Sequence, residues 1–437
     1  MKPLIFATLF FSALVFSPFG LAEAVDAMEE PSPVRMTWGG RVRAQGAVSW
    51  LMDDTVFESV VDGPLLDGSI DFRLTNQLLF PWFDVEIHYE AILSGGETRK
   101  AIQSLVAGYP DLIQGALPPT APVSDAHRLM DLTQLVWEET ETVGYHRFDR
   151  LAVIIHRDWA TVTLGRQALT WGNGFLFNPM DLFNPFAPTD IDRDYKLGDD
   201  MAHVQFSAAF LDNVQLLYVP RRRTDTGDVS WRRSSLAAKA HLVLGATELD
   251  ILAAAHYDDR VLGMGMAGYW GGAAWRLDAT WIDISESDQR DQAVSLVANI
   301  DYSWTWAGKN AYGFIELYFN EFGSSNYSRT LSDTDMLDRV GRGDLFVLGR
   351  AYLAGNLMVE FHPLFQGFAT VIGNLKDSSC IVQPRAMWDI RENLQLILGA
   401  TIYIGETGSE FGGIRLPDSN ITLRNPDRAY IWITYYF

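Results

Sequence analysis

The chain has 437 residues, 48% of them hydrophobic and 13% aromatic, with a formal net charge of −21 and a single cysteine, Cys380. The acidic balance argues against a nucleic-acid partner, because neutralising phosphates takes Lys and Arg. One cysteine excludes both an internal disulfide and a cysteine-rich metal site.

The N-terminus reads as a targeting segment. Lys2 supplies positive charge, Leu4 to Phe16 is nearly all apolar, and Ala22-Glu23-Ala24 offers a small-x-small cleavage pattern. The expected organisation is a cleaved signal peptide over 1–24, a periplasmic lead over 25–33, and a single barrel over 34–437. Beyond the leader no apolar run is long enough for a spanning helix. The pattern is two-residue alternation instead. In Phe83-Asp84-Val85-Glu86-Ile87-His88-Tyr89-Glu90-Ala91 the odd positions are apolar and the even ones ionisable. A helix would scatter those charges around its circumference, whereas a strand gathers them on one face. Ile70 to Thr75, Trp275 to Trp281 and Val294 to Trp306 repeat the pattern.

In chain order, strands are expected near 34–50, 68–79, 82–94, 144–157, 159–169, 201–210, 213–222, 233–245, 247–257 and 260–270. The rest are expected near 272–284, 292–306, 309–320, 342–354, 356–373, 379–389, 393–404 and 427–437. About 18 strands, an even number, describe an all-β, antiparallel, up-and-down transmembrane barrel. Tight turns are expected at Phe80-Pro81, Arg157-Asp158, Leu211 to Asn213, Gly245-Ala246, Ala354-Gly355-Asn356 and Ile390 to Asn393. These would be the periplasmic turns, with long extracellular loops between them, the longest near 95–143 and 170–200 and each able to act as lid or constriction. A helical stretch is expected from Lys100 to Gly108. The final strand alternates Ala429, Ile431, Ile433, Tyr435 and Phe437 with Tyr430, Trp432, Thr434 and Tyr436. Ile433, Tyr435 and the terminal Phe437 resemble the signal read by the barrel assembly machinery of the bacterial outer membrane, which is the expected localisation.

Inward-facing candidates for the lumen wall are Arg73, Asp84, Glu86, His88, Glu90, Arg166, Lys239, Arg276, Asp278, Asp301 and Glu316. The segment after residue 169 is too aromatic for a solvated loop: Trp171 to Phe186 holds five aromatics and two Asn-Pro pairs. It folds either into the barrel mouth as a constriction or outside as a cap. Its candidates for setting selectivity are Trp171, Asn173, Asn178, Asp181, Asn184, Asp190, Asp192, Arg193 and Asp194. Asp190, Asp192 and Asp194 could offer carboxylates to calcium. However, Tyr195 and Met201 stand where an EF-hand needs Gly and Glu, and Arg193 and Lys196 can neutralise the cluster. No metal and no cofactor are expected.

Leu164-Gly165-Arg166-Gln167 leading to Trp171-Gly172 at a strand end resembles porin-like outer-membrane channels of the alginate-export type and related barrel families. The resemblance implies a transport barrel. The expected wall charges are mixed or acidic, unlike the arginine-rich lumen that passes a polyanion.

The expected function is a non-enzymatic channel for small polar solutes, neutral or cationic. The alternatives are export of a polysaccharide or other polymer with periplasmic partners, and a barrel hydrolase using lumen histidines. Expected partners are outer-membrane lipid, lipopolysaccharide, the assembly machinery and the solute. Arg221 to Arg223 and Arg232-Arg233 either meet lipopolysaccharide phosphates or mark the membrane boundary.

Overall fold

The computed structural model describes residues 34–437 except 53–54, 62, 109–123, 191–194, 209–210, 286, 288–289, 331–332 and 416–421. The expected signal peptide and lead lie outside the described residues. Eighteen antiparallel strands form one closed barrel. They are β1 Arg35–Trp50, β2 Leu65–Leu79, β3 Phe83–Gly96, β4 Thr142–Arg157, β5 Ala160–Gln167, β6 Asp199–Ala208, β7 Leu211–Val219, β8 Ser235–Leu244 and β9 Thr247–His256. The series continues with β10 Asp259–Trp270, β11 Ala273–Asp283, β12 Gln292–Trp306, β13 Lys309–Asn320, β14 Ala351–His362, β15 Phe365–Asn374, β16 Cys380–Arg391, β17 Leu394–Ile404 and β18 Asp427–Tyr436. Each strand pairs with its sequence neighbours, and β1 closes the ring on β18 with Arg41 opposite Tyr436 and Ser49 opposite Arg428. Closure leaves the barrel without the exposed strand edge that invites aggregation.

The alternation sorts the two faces as the sequence indicates. Outward positions such as Ile70, Val153, Leu164, Ile251, Leu262, Leu296, Ile315 and Ile433 are exposed apolar side chains. A continuous apolar exterior of this size suits hydrocarbon rather than water. Inward positions carry most of the buried charge. The terminal Phe437 faces out, its ring 6.1 Å from Trp38 and 6.2 Å from Phe72, and its backbone N–H and C=O bond Gly40 at 3.1 and 2.9 Å.

The short and long connections fall on opposite rims, except that β9 and β10 are joined on the long-loop rim by the two-residue turn Tyr257-Asp258. One region departs from the expected strand order. Ala354-Gly355-Asn356 is not a turn but the middle of β14, with Gly355 opposite both Ile315 and Val371. Asn356 points inward and donates from Nδ2 to Thr370 Oγ1 at 2.7 Å. The turn is Pro363-Leu364, between His362 and Phe365. Gly-Asn reads locally as a turn, but the two neighbouring ladders decide the matter. The expected start near 342 is instead the end of helix α2, Thr334–Arg342, which Asp333 caps by accepting from Met336 N and Gly343 closes in a left-handed conformation.

In the expected 95–143 loop, helix α1 spans Glu97–Gly108 and a short strand Thr133–Glu138 pairs with the upper part of β4.

Candidate functional site: a segment crossing the lumen

Of the polypeptide between β5 and β6, residues 168–190 and 195–198 enter the barrel and bond to several walls. Two glycines make the entry possible. Gly165 has φ +122°, and a Cβ there would lie 2.2 Å from Leu151 O. Gly172 has φ +86°, and its Cβ would lie 2.1 Å from Asn178 Oδ1 and 3.0 Å from Asp278 Oδ2. Side chains are excluded at both points by conformation and by contact. The Gly-Arg-Gln and Trp-Gly pairs of the sequence therefore mark where the chain leaves the wall and where it meets the opposite side.

The far wall receives the segment through three inward side chains. Asp278 on β11 accepts from Asn173 N at 2.5 Å and Asn173 Nδ2 at 2.8 Å. Asn299 on β12 donates to Asn173 O at 3.1 Å. Glu316 on β13 accepts from three consecutive backbone N–H groups: Phe175 at 2.6 Å, Leu176 at 2.9 Å and Phe177 at 2.8 Å. Asp278 and Glu316 have no exposed surface, so the backbone donors take the place of water around them. Aromatic contacts back these bonds, with Phe175 stacked on Phe314 at 4.5 Å and Phe177 on Tyr318 at 4.3 Å.

The rest of the segment is tied at other points. Trp171 is buried, donates from Nε1 to Gln215 Oε1 at 2.8 Å, and meets Phe183 edge to face. Asn178 Nδ2 donates to Trp171 O at 2.8 Å. Asn184 takes a left-handed φ of 52°, a conformation Asn accepts more readily than most residues. The Lys196 ammonium bonds both Asp181 oxygens at 2.5 and 2.6 Å and also donates to Leu169 O. Burial pushes the Asp181 carboxyl up to about 6 against the pull of Lys196. The same burial pushes the Lys196 ammonium below its ordinary value. Asp190 N closes a turn on Ala187 O, and Thr189 O accepts from Gln383 Nε2 on β16 at 3.2 Å. Near the segment's end the Tyr195 ring lies under the guanidinium of Arg73 at 4.0 Å and that of Arg41 at 4.9 Å. The selectivity and calcium candidates Asp192, Arg193 and Asp194 lie outside the described residues.

The wall formed by β1 to β4 is organised differently. Arg73 pairs with Asp149 at 2.5 Å and Glu90 at 3.5 Å, Arg147 with Glu90 at 2.5 Å, Arg150 with Asp149 at 2.7 Å, and Arg41 with Asp71 at 3.0 Å. A register shift opposite His88 and Tyr89 inserts an extra residue in β4. This lets Asp149 and Arg150, though adjacent in sequence, bond each other and join the same network. Glu86 and His88 lie 3.2 Å apart, and Asp84 meets His156 at 3.0 Å nearer the short-turn rim. Elsewhere Lys239 pairs with Asp250 at 3.4 Å and Arg276 with Asp301 at 2.5 Å.

Arg166 departs from its expected place on the lumen wall. Only 1% exposed, it bonds Asp200 at 2.8 Å, Asp125 at 3.0 Å and Met130 O at 2.7 Å. It therefore pins the 124–130 segment to the long-loop rim. Arg128 and Arg166 overcome the burial of Asp125 and hold its carboxyl at about 2. Leu164, two residues earlier, faces outward, so alternation itself argues against a lumen position for Arg166.

Sequence reading also missed a Ser, His and Asp brought together at that rim. His256 Nδ1 lies 2.8 Å from Ser235 Oγ, and Nε2 lies 3.5 Å from Asp344 Oδ1. Ser235 is only 1% exposed, and its oxygen also accepts from Arg221 Nη1 at 2.6 Å.

Beside the arginine-rich wall, a cavity of about 360 Å³ opens between the barrel and α1, lined by Gln45, Asp67, Ser69, Ser94, Thr98, Arg99 and Arg428 among others. Among the described residues no group of His, Cys, Asp and Glu could hold a metal ion.

No family model and no curated protein matches the chain. Solved structures do. OccAB3 of Acinetobacter baumannii shares 9% identity with a TM-score of 0.52, over 92% of this chain and 99% of that one. OccK5 (OpdH) of Pseudomonas aeruginosa shares 8% with a TM-score of 0.51, over 92% and 97%. Wzi, described as a carbohydrate-binding β-barrel of the Escherichia coli outer membrane involved in group 1 capsule assembly, shares 9% with a TM-score of 0.50, over 91% and 84%. The chain has the porin-like outer-membrane barrel fold.

Proposed function

We propose that the protein is an outer-membrane channel through which small polar solutes pass a lumen narrowed by the segment after β5, residues 168–190. The observation that carries this reading is the docking of that segment on Asp278, Asn299 and Glu316, across the barrel from where it leaves the wall. An 18-stranded ring leaves an aqueous interior unless something fills it, and here a bonded segment does so in part. The apolar exterior and the porin-like fold support the outer-membrane location. On this reading the short-turn rim faces the periplasm.

The proposed solutes are neutral or cationic. Wall arginines are matched by carboxylates in the pairs above, so an entering anion meets few uncommitted positive charges. The hydroxyl and amide groups of Gln45, Ser69 and Ser94 in the vestibule cavity suit an uncharged polar solute. Because the charges are paired, selectivity is weak. Reversal potential in a potassium chloride gradient tests both parts. A small cation preference is expected, clear anion preference contradicts the charge assignment, and absence of any conductance contradicts the channel. Export of a polymer, the alternative, requires the crossing segment to leave Glu316 and Asp278. It predicts negligible conductance alone and loss of a surface polysaccharide on deletion.

A further inference from the structure

The two arginine clusters flanking residues 224–231 part company in the structure. Arg221 turns inward to Asp199 at 3.0 Å and Ser235 at 2.6 Å, and Arg222 donates to Leu129 O. Arg232 remains outside, its side chain 72% exposed, and is joined there by Arg260, 79% exposed. Register places Leu236 opposite Ala255 and Ala255 opposite Arg260, one outward row across β8, β9 and β10 at the long-loop rim. Trp231 overhangs the row. These residues border a cavity of about 350 Å³ on the barrel's exterior, which Asp258 also lines. Leu262 and Ile251, outward on the same strands and farther from the rim, are exposed apolar side chains that continue the membrane-facing surface.

The site is amphipathic along the membrane normal: two guanidiniums, an indole and serine hydroxyls line the cavity together with Leu236 and Ala255, and the exposed aliphatic wall of Ile251 and Leu262 lies below it. A free anion uses only the upper half. A lipid with a phosphorylated headgroup uses both, because its chains lie on the wall while its phosphate sits at the rim. Arg232 is 3.4 Å from Asp258 and Arg260 is 3.3 Å from Asp283. Exposed pairs of this kind contribute little, whereas phosphate offers arginine several charged acceptors in the planar geometry its guanidinium prefers.

We propose that this cavity binds the phosphorylated headgroup of a membrane lipid, with Arg232 and Arg260 on the phosphate and Trp231 and Leu236 against the first carbons of the chains. The site rests on the barrel spanning a membrane, not on its conducting.

The test uses the full-length mature protein, delipidated in detergent and titrated with lipid A in phosphorylated and dephosphorylated forms, bound lipid being counted by native mass spectrometry. Wild type should hold the phosphorylated form about ten-fold more tightly than the dephosphorylated one. Arg232→Glu with Arg260→Glu should erase that difference. Trp231→Ala, which removes no charge, should weaken both forms about three-fold. Lys309→Glu, at the opposite rim, should change nothing. Should the charge-reversed protein not fold, Arg232→Gln with Arg260→Gln reads the same loss. Equal affinity for the two lipids, or undiminished binding in the arginine variants, overturns the proposal. So does inorganic phosphate binding as tightly as the lipid, which would make this a free-anion site. Unchanged conductance in these variants would separate this result from the channel reading.

Discussion

Two walls of the lumen carry buried carboxylates and use them in opposite ways. On β11 to β13, Asp278 and Glu316 spend their acceptor capacity on the crossing segment and on Asn299. On β1 to β4, Asp71, Glu90 and Asp149 pair chiefly with arginines of the wall itself, and the segment's last residues reach that side through the Tyr195 ring, through Lys196 O, which accepts from Arg150 Nη2 at 2.5 Å, and through Gly198 N, which donates to Asp149 Oδ1 at 3.3 Å. One wall spends its carboxylates on the constriction, and the other is mainly a self-neutralised lining that meets only the segment's last residues. A carboxylate on an inward position is therefore not by that fact a charge presented to solute.

The contrast breaks most readily at Glu316. Glu316→Ala leaves three N–H groups without their acceptor, each costing about 1–3 kcal/mol if it stays buried. The segment should release instead, and single-channel conductance should rise several-fold. Glu316→Gln keeps a carbonyl acceptor and should fall between. Arg73→Met probes the other wall. It strands Asp149 and Glu90 with one partner fewer and should cost about 3–5 kcal/mol in denaturant unfolding, with a smaller change in conductance than Glu316→Ala. A cycle of Asp278→Ala and Glu316→Ala sharpens the picture of a single docked unit: the double variant should conduct little more than Glu316→Ala alone, because one release removes both sets of bonds.

The smallest effect is expected from pH. With Asp181 at about 6 when docked and at its ordinary lower value once released into water, the docked form takes up the proton more readily. Docking is then strongest below the ordinary carboxylate range and weakens as pH rises through about 6. Channel recordings should show fewer opening transitions near about pH 5 than near about pH 7.5, and Asp181→Asn should flatten that dependence.

The strand order was largely legible because lipid outside and polar groups inside impose a period of two, and few segments such as Phe83 to Ala91 or Val294 to Trp306 satisfy it by accident. Gly355-Asn356 misled because local turn chemistry competes with ladders formed to β13 and β15. The aromatic load of Trp171 to Phe186 showed that the segment had to be buried, but nothing local told inside from outside. Its anchors, Asp278, Asn299 and Glu316, lie more than a hundred residues later. Alternation put them on the inward face without revealing what they hold. Arg166 was misplaced against the alternation itself, since Leu164 two residues before it faces out; its partners Asp125 and Asp200 lie far from it in sequence.

The central claim is that the docked segment sets the width of the pore. Uptake of sugars of increasing size into proteoliposomes measures that width directly. The account predicts that wild type admits small sugars and excludes larger oligosaccharides, and that Asp278→Ala with Glu316→Ala moves the cut-off upward. The same cut-off in both proteins would contradict it.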